Sequence, residues 1–184
     1  MKPILMIHEV NDDTFKAPLE DYILTFDDGL YSQYLYIDKL KEIDTPKIFF
    51  ISSGIVASDD TKQSSEDICC VRAHKYFFET DDPKHYMNWE QINELNSLSG
   101  HNCFIGAHSF KHPRLEEMSL KDKIDTTRTD TKSMIDSFKS NLGYMPCMFA
   151  FPYNYRDKLY ETRLLKNNIF DFYDSRRVDI EDLI

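Results

Sequence analysis

Short apolar runs alternate along the chain with stretches in which apolar residues recur every three or four positions. The short runs are bounded by charged or turn residues, which is typical of strands that are buried on both faces. They predict six strands, over residues 3–7, 22–26, 47–51, 102–107, 148–151 and 169–173.

Between the predicted strands, the spacing of three or four is that of an amphipathic helix. It predicts helices over 30–43, 92–98 and 120–142. Gly143 supplies the stop signal of the last one, and Asn88 is a suitable cap for a helix that opens at Trp89. Alternating strands and helices indicate an α/β domain with a mainly parallel sheet, either open or closed into a barrel.

Residues 53–87 break this alternation, because they are polar and irregular. A segment of that length inside a compact domain is usually functional or mobile, so we expect a long loop. Cys69 and Cys70 could bind an ion together with His74, although no regular ligand spacing supports this. We expect solvated side chains for the three histidines in or beside polar stretches, His74, His85 and His101.

The chain has 184 residues, of which 41% are apolar and 14% aromatic, so it can bury a sizeable core as one domain over 1–184. The 22 lysines and arginines face 32 aspartates and glutamates, which gives a net charge of −10. An acidic surface repels phosphate backbones and anionic lipid, which argues against nucleic acid and membrane as partners. We therefore expect a neutral or cationic substrate.

Targeting signals and disulfides are not expected. The first apolar run ends at His8, whereas a secretory segment needs roughly 7–15 apolar residues and a membrane span about 20. Two of the four cysteines are adjacent, and no C-x-x-C pair occurs. Reduced thiols in a cytoplasmic protein are the simplest interpretation.

Candidate chemistry lies at the ends of the predicted strands, where reactive groups gather in folds with parallel strands. Asp27 and Asp28 directly follow an apolar strand and precede Gly29. Two adjacent carboxylates repel unless a cation or a proton separates their roles, so one could bind metal while the other acts as a base. The alternative is a turn with an aspartate as helix cap, since Asp-Gly is common turn chemistry.

His108 and His112 lie four residues apart just past another predicted strand. If that segment is helical, both imidazoles lie on one face, as two ligands of one ion require. Such a pair alone is weak evidence. Combined with the carboxylate at the end of the earlier strand, it predicts a two-histidine, one-carboxylate site with positions left open for water and substrate.

A third strand end, over 149–154, contains Pro152 and Tyr153. Its aromatic residues could simply be core. A proline–tyrosine turn could equally expose a backbone N–H towards a reacting oxygen. Pro152, Tyr153 and Tyr155 are the candidate substrate-binding residues, with the two tyrosines as platforms for a sugar.

These segments together resemble the NodB-homology polysaccharide deacetylases, carbohydrate esterase family four. Residues 25–29, Thr-Phe-Asp-Asp-Gly, match that family's first motif at every position, and 108–112 match its His-Ser/Thr-x-x-His motif. Residues 149–154 resemble its third motif, and 4–10 are similar to its first strand, which ends in a histidine. The resemblance extends over nearly the whole chain.

The resemblance implies a distorted (β/α) barrel of six or seven mainly parallel strands. By the same resemblance, Asp28, His108 and His112 would bind one divalent metal ion, with zinc expected and cobalt, nickel or manganese as alternatives. Asp27 would be the general base, and the backbone N–H of Tyr153 would help to stabilise the oxyanion. The implied reaction removes acetyl from an N-acetylated amino sugar or a glycan precursor.

The sequence departs from the family pattern at two places. Ala150 stands where members often carry an arginine that orients the base. The late Leu-x-His motif, whose histidine is the general acid, is missing, because no histidine follows His112. His8 ends the first predicted strand and would lie on the same rim as Asp27, so it could protonate the leaving amine. Capping the strand or orienting Asp27 are equally compatible roles.

Three functions therefore stay open. The first is a metal-dependent N-deacetylase, which an intact Asp27 favours because a metal site alone does not need it. The second is a non-catalytic carbohydrate-binding or assembly protein with a degenerate deacetylase fold, which the two departures favour. The third is a hydrolase of some small amide or ester.

Overall fold

The computed structural model describes residues 2–184, and its centre is a curled sheet of seven parallel strands. The strands are β1 (Ile4–Ile7), β2 (Ile23–Phe26), β3 (Lys47–Ile51), β4 (Cys103–Ala107), β5 (Met148–Ala150), β6 (Asp171–Tyr173) and β7 (Val178–Asp179). Their order is β6-β5-β4-β3-β2-β1-β7, so consecutive strands are neighbours until the last one crosses to the far edge. The distorted (β/α) barrel predicted from the sequence is confirmed.

Six α-helices lie between the first six strands. They are α1 (Tyr31–Leu35), α2 (Ile37–Lys41), α3 (Cys70–Thr80), α4 (Trp89–Ser97), α5 (Leu120–Leu142) and α6 (Lys158–Leu165). Short 3-10 turns occur over Asp13–Lys16, Leu19–Asp21, Leu98–His101, Leu115–Glu117, Pro152–Asn154 and Ile180–Asp182. No helix in the described part of the chain combines the length and the apolar character needed to cross a bilayer.

Both faces of the sheet are buried, because alternate strand residues point to opposite sides. On one side, Phe26 and Phe49 stack with ring centroids 4.7 Å apart, in the main cluster that includes residues of α4 and α5. On the other side, Phe50 packs against Tyr173 at 4.9 Å in a separate cluster. This burial on both faces explains why the strands are uninterrupted apolar runs.

All six predicted strands are present, with ends that differ from the prediction by at most two residues. The seventh strand, β7, carries no sequence signal, because it is two residues long and lies in a charged segment. It pairs with β1, Leu5 with Val178 and Met6 with Asp179, so it forms only when distant parts of the chain come together.

Helix ends that the sequence marks clearly are where they were expected. Asn88 caps α4 in a capping box with Gln91, and Gly143 ends α5 with a positive φ of 79°. Only glycine adopts that conformation without steric cost.

Two predictions about helices were wrong. The single helix expected over 30–43 is divided into α1 and α2, because Tyr36 leaves helical geometry with φ −101° and ψ 12°. The loop expected over 53–87 contains α3, which packs Ala73 and Phe77 in a small cluster apart from the main core. The apolar residues of α3 recur at helical spacing, as Cys70, Ala73 and Phe77, so this helical signal was missed inside a mostly polar segment.

Candidate active site

Side chains that follow β1, β2, β4 and β5 line one cavity of about 330 Å³. They come together because the carboxyl ends of parallel strands meet at the same edge of a sheet. The cavity contains all the residues predicted as ligands, base and acid, namely Asp28, His108, His112, Asp27 and His8. Helix α3 supplies the wall opposite the strand ends.

Asp28, His108 and His112 form a tight cluster of donor atoms. The Oδ1 atom of Asp28 lies 3.3 Å from Nε2 of His108 and 3.3 Å from Nε2 of His112, and the two Nε2 atoms are 3.1 Å apart. All three side chains are buried. Ligands about 2.0–2.2 Å from one tetrahedral ion are separated by about 3.3–3.6 Å, so these distances suit a shared cation.

The segment that carries both histidines is a loop, so the helical geometry considered for it is wrong. Ser109 and His112 have positive φ values of 69° and 51°. The N–H groups of Phe110 and Lys111 each donate to the buried carboxylate of Asp130 on α5, at 3.0 Å. The two imidazoles are therefore brought together because the loop is anchored to α5.

Strained backbone is concentrated at the strand ends. Of the eight non-glycine residues with positive φ in the described chain, five lie in the three strand-end segments: Asp28, Ser109, His112, Tyr153 and Asn154. Such conformations cost about 1–3 kcal/mol each and persist where the surroundings fix them, which is common at functional sites.

The tautomer of His108 follows from its surroundings. Its Nδ1 lies 2.8 Å from the carbonyl oxygen of Ala150. A carbonyl can only accept, so Nδ1 carries a proton and Nε2 is the ring nitrogen that faces Asp28. Orientation by a backbone carbonyl is typical of histidines that bind metal.

Burial alone would raise the pKa of Asp28, but His74, His108 and His112 together hold it well below its usual value. Burial and the neighbouring imidazoles keep the pKa of His112 well below its usual range, despite the Asp28 charge. Asp28 is therefore a carboxylate whose ion-pair contacts, within residues 2–184, are all imidazoles, and its Oδ1 accepts no hydrogen bond. A buried carboxylate oxygen that accepts no hydrogen bond fits a bound cation.

Asp27 has the opposite environment, because Arg177 forms a two-point pair with it. Nη1 and Nη2 donate to Oδ1 and Oδ2 at 2.7 and 2.6 Å. The remaining three N–H groups donate to the Asp174 carbonyl, Thr25 Oγ1 and Asn154 Oδ1, so all five guanidinium donors have partners. Burial, the largest single influence, raises the pKa of Asp27, but the charges of Arg177, His108 and His8 and the hydrogen bonds from Arg177 together outweigh it, so the net shift is downward.

Arg177 makes with Asp27 the contact that the resemblance led us to expect from an arginine at the position of Ala150. It reaches Asp27 because β7 pairs with β1, next to β2. The two residues are 150 positions apart, and Arg177 follows another arginine in a charged segment, so sequence reasoning missed it. The one available signal was Ala150, because family members often carry at that position an arginine that orients the base.

His8 lies beside this pair. Gln33 of α1 donates to the carbonyl oxygens of both His8 and Asp27, at 2.7 and 2.6 Å, and so fixes the two strand ends together. Donor atoms of His8, Asp28 and Cys70 all lie within 4.8 Å of one another. Burial, foremost, raises the pKa of the Cys70 thiol, which keeps it protonated.

The tyrosines predicted to bind substrate have different positions. Tyr153 lines the cavity, with its ring 4.6 Å from that of His112 and the Arg114 guanidinium 4.1 Å from its centre. Pro152 is buried beneath it. Tyr155 contacts Lys123 outside the cavity wall.

Two of the three histidines expected to be solvated are not. His74 of α3 lines the cavity, with Nε2 3.6 Å from Asp28 Oδ1. His85 is buried, and burial lowers its pKa. Only His101 is exposed. The signal missed for His74 is its i, i+4 spacing from Cys70, which places both on one face of a helix.

Comparison with known proteins agrees with this architecture. The sequence profile described as polysaccharide deacetylase matches residues 16–169. No curated protein sequence matches the chain.

Several solved structures share the fold at low sequence identity. IcaB from Ammonifex degensii has a TM-score of 0.63 at 19% identity, covering 97% of this chain and 84% of IcaB. The BpsB deacetylase domain from Bordetella bronchiseptica has a TM-score of 0.64 at 13% identity, covering 96% and 93%. The deacetylase PplD from Streptococcus pyogenes, in complex with acetate, has 0.59 at 16% identity, covering 91% and 80%.

Proposed function

The chain belongs to the polysaccharide deacetylase family, and on that premise we propose that it is a metal-dependent hydrolase that removes N-acetyl groups from an acetylated amino sugar or glycan precursor. The observation that carries the proposal is the different pairing of two adjacent buried carboxylates. Asp27 is neutralised by Arg177, whereas Asp28 faces imidazoles. A carboxylate available for proton transfer beside one available for a cation is what metal-assisted amide hydrolysis requires.

Asp28, His108 and His112 would hold one divalent ion. Their mutual distances and the unpartnered Oδ1 of Asp28 fit that role. One carboxylate and two imidazoles suit zinc, with cobalt, nickel or manganese as alternatives. When bound, the ion would polarise the acetamide carbonyl and acidify the attacking water.

The proton transfers fall to the chain's own residues. Asp27 would take the proton of the water that attacks the carbonyl carbon, since each carboxylate oxygen keeps a second lone pair beside its bond to Arg177. The backbone N–H of Tyr153 would donate to the oxyanion. His8 would give its proton to the nitrogen as the C–N bond breaks, which leaves acetate and a free amine.

The cavity and the charge of the protein indicate the substrate class. A cavity of about 330 Å³ is at the small end of ligand pockets, which suits one sugar unit with its acetamide rather than several units. Tyr153 offers a partly exposed ring, 41% accessible, as a stacking surface. A net charge of −10 disfavours strongly anionic substrates and is compatible with a neutral N-acetylated sugar.

Acetate release from N-acetylated sugars, oligosaccharides and nucleotide sugars, with added zinc or cobalt, tests the proposal. Asp27→Asn should lower the rate by about 10²–10⁴-fold, the usual contribution of a placed general base, while metal content is retained. Asp28→Ala should lose the metal as well as the activity. A zinc-loaded protein that binds sugar but releases no acetate would instead be a non-catalytic carbohydrate-binding protein.

A further inference from the structure

Helix α3 brings a third imidazole to the cluster around Asp28. Nε2 of His74 lies 3.6 Å from Oδ1 of Asp28, and its ring centre is 4.5 Å from that of His112. Donor atoms of Asp28, His74 and His112 all lie within 4.8 Å of one another. None of the roles assigned above to the base, the acid or the three ligands uses this side chain.

Nε2 of His74 faces Asp28 for the same reason as Nε2 of His108. Nδ1 of His74 lies 3.0 Å from the carbonyl oxygen of Cys70, one turn earlier in the helix. Because the carbonyl accepts, Nδ1 carries a proton and Nε2 is the ring nitrogen turned towards Asp28. Nε2 and Asp28 Oδ1 are both buried, and neither has a hydrogen-bond partner in the described structure. A buried carboxylate oxygen and a buried imidazole nitrogen that lie this close without a hydrogen bond are donor atoms that one cation can share.

Helix α3 is held in place by contacts on either side of His74 in the sequence. The N–H of Cys70 donates to Glu9 Oε2, beyond the end of β1, at 3.1 Å. Ala73 and Phe77, which flank His74 on the same helix, are buried in the small cluster that also contains Tyr86. These contacts fix the position of α3, and His74 therefore lies at the cavity.

We propose that His74 is a fourth protein ligand of the metal ion, which extends the proposed function, since it relies on Asp28, His108 and His112 holding that ion. Four protein ligands complete a tetrahedral shell of the kind found in structural zinc sites, whereas catalytic sites keep a position open. His74 would thus tighten metal binding and occupy the position that a substrate needs. Catalysis then requires that His74 withdraw with α3 or that the shell expand.

Zinc affinity, measured by competition with a chelator, tests the ligand role without any substrate. His74→Ala should weaken zinc binding by about 10- to 100-fold, because one ligand is lost. Lys75→Ala is the matched control, since Lys75 is the next residue on the same helix and lines the same cavity. His74→Gln repeats the test with a side chain closer in size, and circular dichroism checks that each variant is folded.

Visible absorption of the cobalt-substituted protein gives a second readout, because four-coordinate cobalt absorbs far more strongly than six-coordinate cobalt. Wild type and Lys75→Ala should show the same bands, and His74→Ala should shift them, because water replaces one imidazole ligand.

The outcomes separate this inference from the proposed function. Unchanged zinc affinity in His74→Ala, with affinity lost in Asp28→Ala, would overturn the role of His74 and leave the three-ligand site intact. Tighter zinc binding by His74→Ala would show that His74 opposes the ion as an imidazolium paired with Asp28. No zinc binding by wild type would overturn both proposals.

Discussion

Replacing Arg177 by methionine removes the counter-charge of Asp27 while roughly keeping the buried volume. Both side chains of the pair are only 2% exposed, so water cannot take over the role of the guanidinium. Removing one partner of a buried ion pair costs about 3–5 kcal/mol, because the other charge is left uncompensated. For a chain of 184 residues this corresponds to a fall in Tm of about 6–20 °C.

The neighbouring residue provides the control. Arg176 pairs with Asp174, but its side chain is 72% exposed, so Arg176→Met should cost about 1 kcal/mol or less. Arg177→Lys should not rescue the loss, because an ammonium group cannot make the two-point contact and the three further bonds of Arg177.

A double-mutant cycle isolates the ion pair itself. Asp27→Asn combined with Arg177→Met leaves neither charge buried, so the double variant should be more stable than the sum of the single losses by about 1–3 kcal/mol. Urea unfolding followed by circular dichroism measures all four proteins. Equal losses in Arg177→Met and Arg176→Met, or strict additivity in the cycle, would refute the electrostatic argument.

Three further variants test other parts of the site and the fold. His8→Gln should lower kcat for acetate release while zinc content is unchanged; an unaltered kcat would remove His8 from the proton transfer. Asp130→Asn places an amide against the backbone donors of the His108–His112 loop, so the free energy of unfolding should fall by about 1–3 kcal/mol, measured with urea. Zinc binding, measured by chelator competition, should also weaken. Gly106→Ala puts a methyl group 2.4 Å from the Phe50 ring, so unfolding should show a loss of about 1–3 kcal/mol, and an unchanged Tm would contradict this clash.

Features that depend on neighbouring residues were predictable from the sequence. The six longer strands are recognisable in the sequence as apolar runs, because both faces of the sheet are covered. The ends of α4 and α5 are visible in Asn88 and Gly143, since a cap acts within one turn of its helix. Motif spacing after β2 and β4 was enough to bring Asp27, Asp28, His108 and His112 to one rim, because parallel strands end at the same edge.

Features that depend on distant residues were decided by the tertiary structure. Arg177 meets Asp27 only because a two-residue strand crosses to β1, and no local pattern encodes a pairing across 150 positions. His74 reaches Asp28 only because α3 packs beside the strand ends, a position that the sequence of the helix does not specify. The imidazoles of His108 and His112 meet because the Asp130 carboxylate of α5 anchors their loop, and not because the loop is helical. In each case a buried charge or lone pair needs a partner, and only the packed chain determines which residue supplies it.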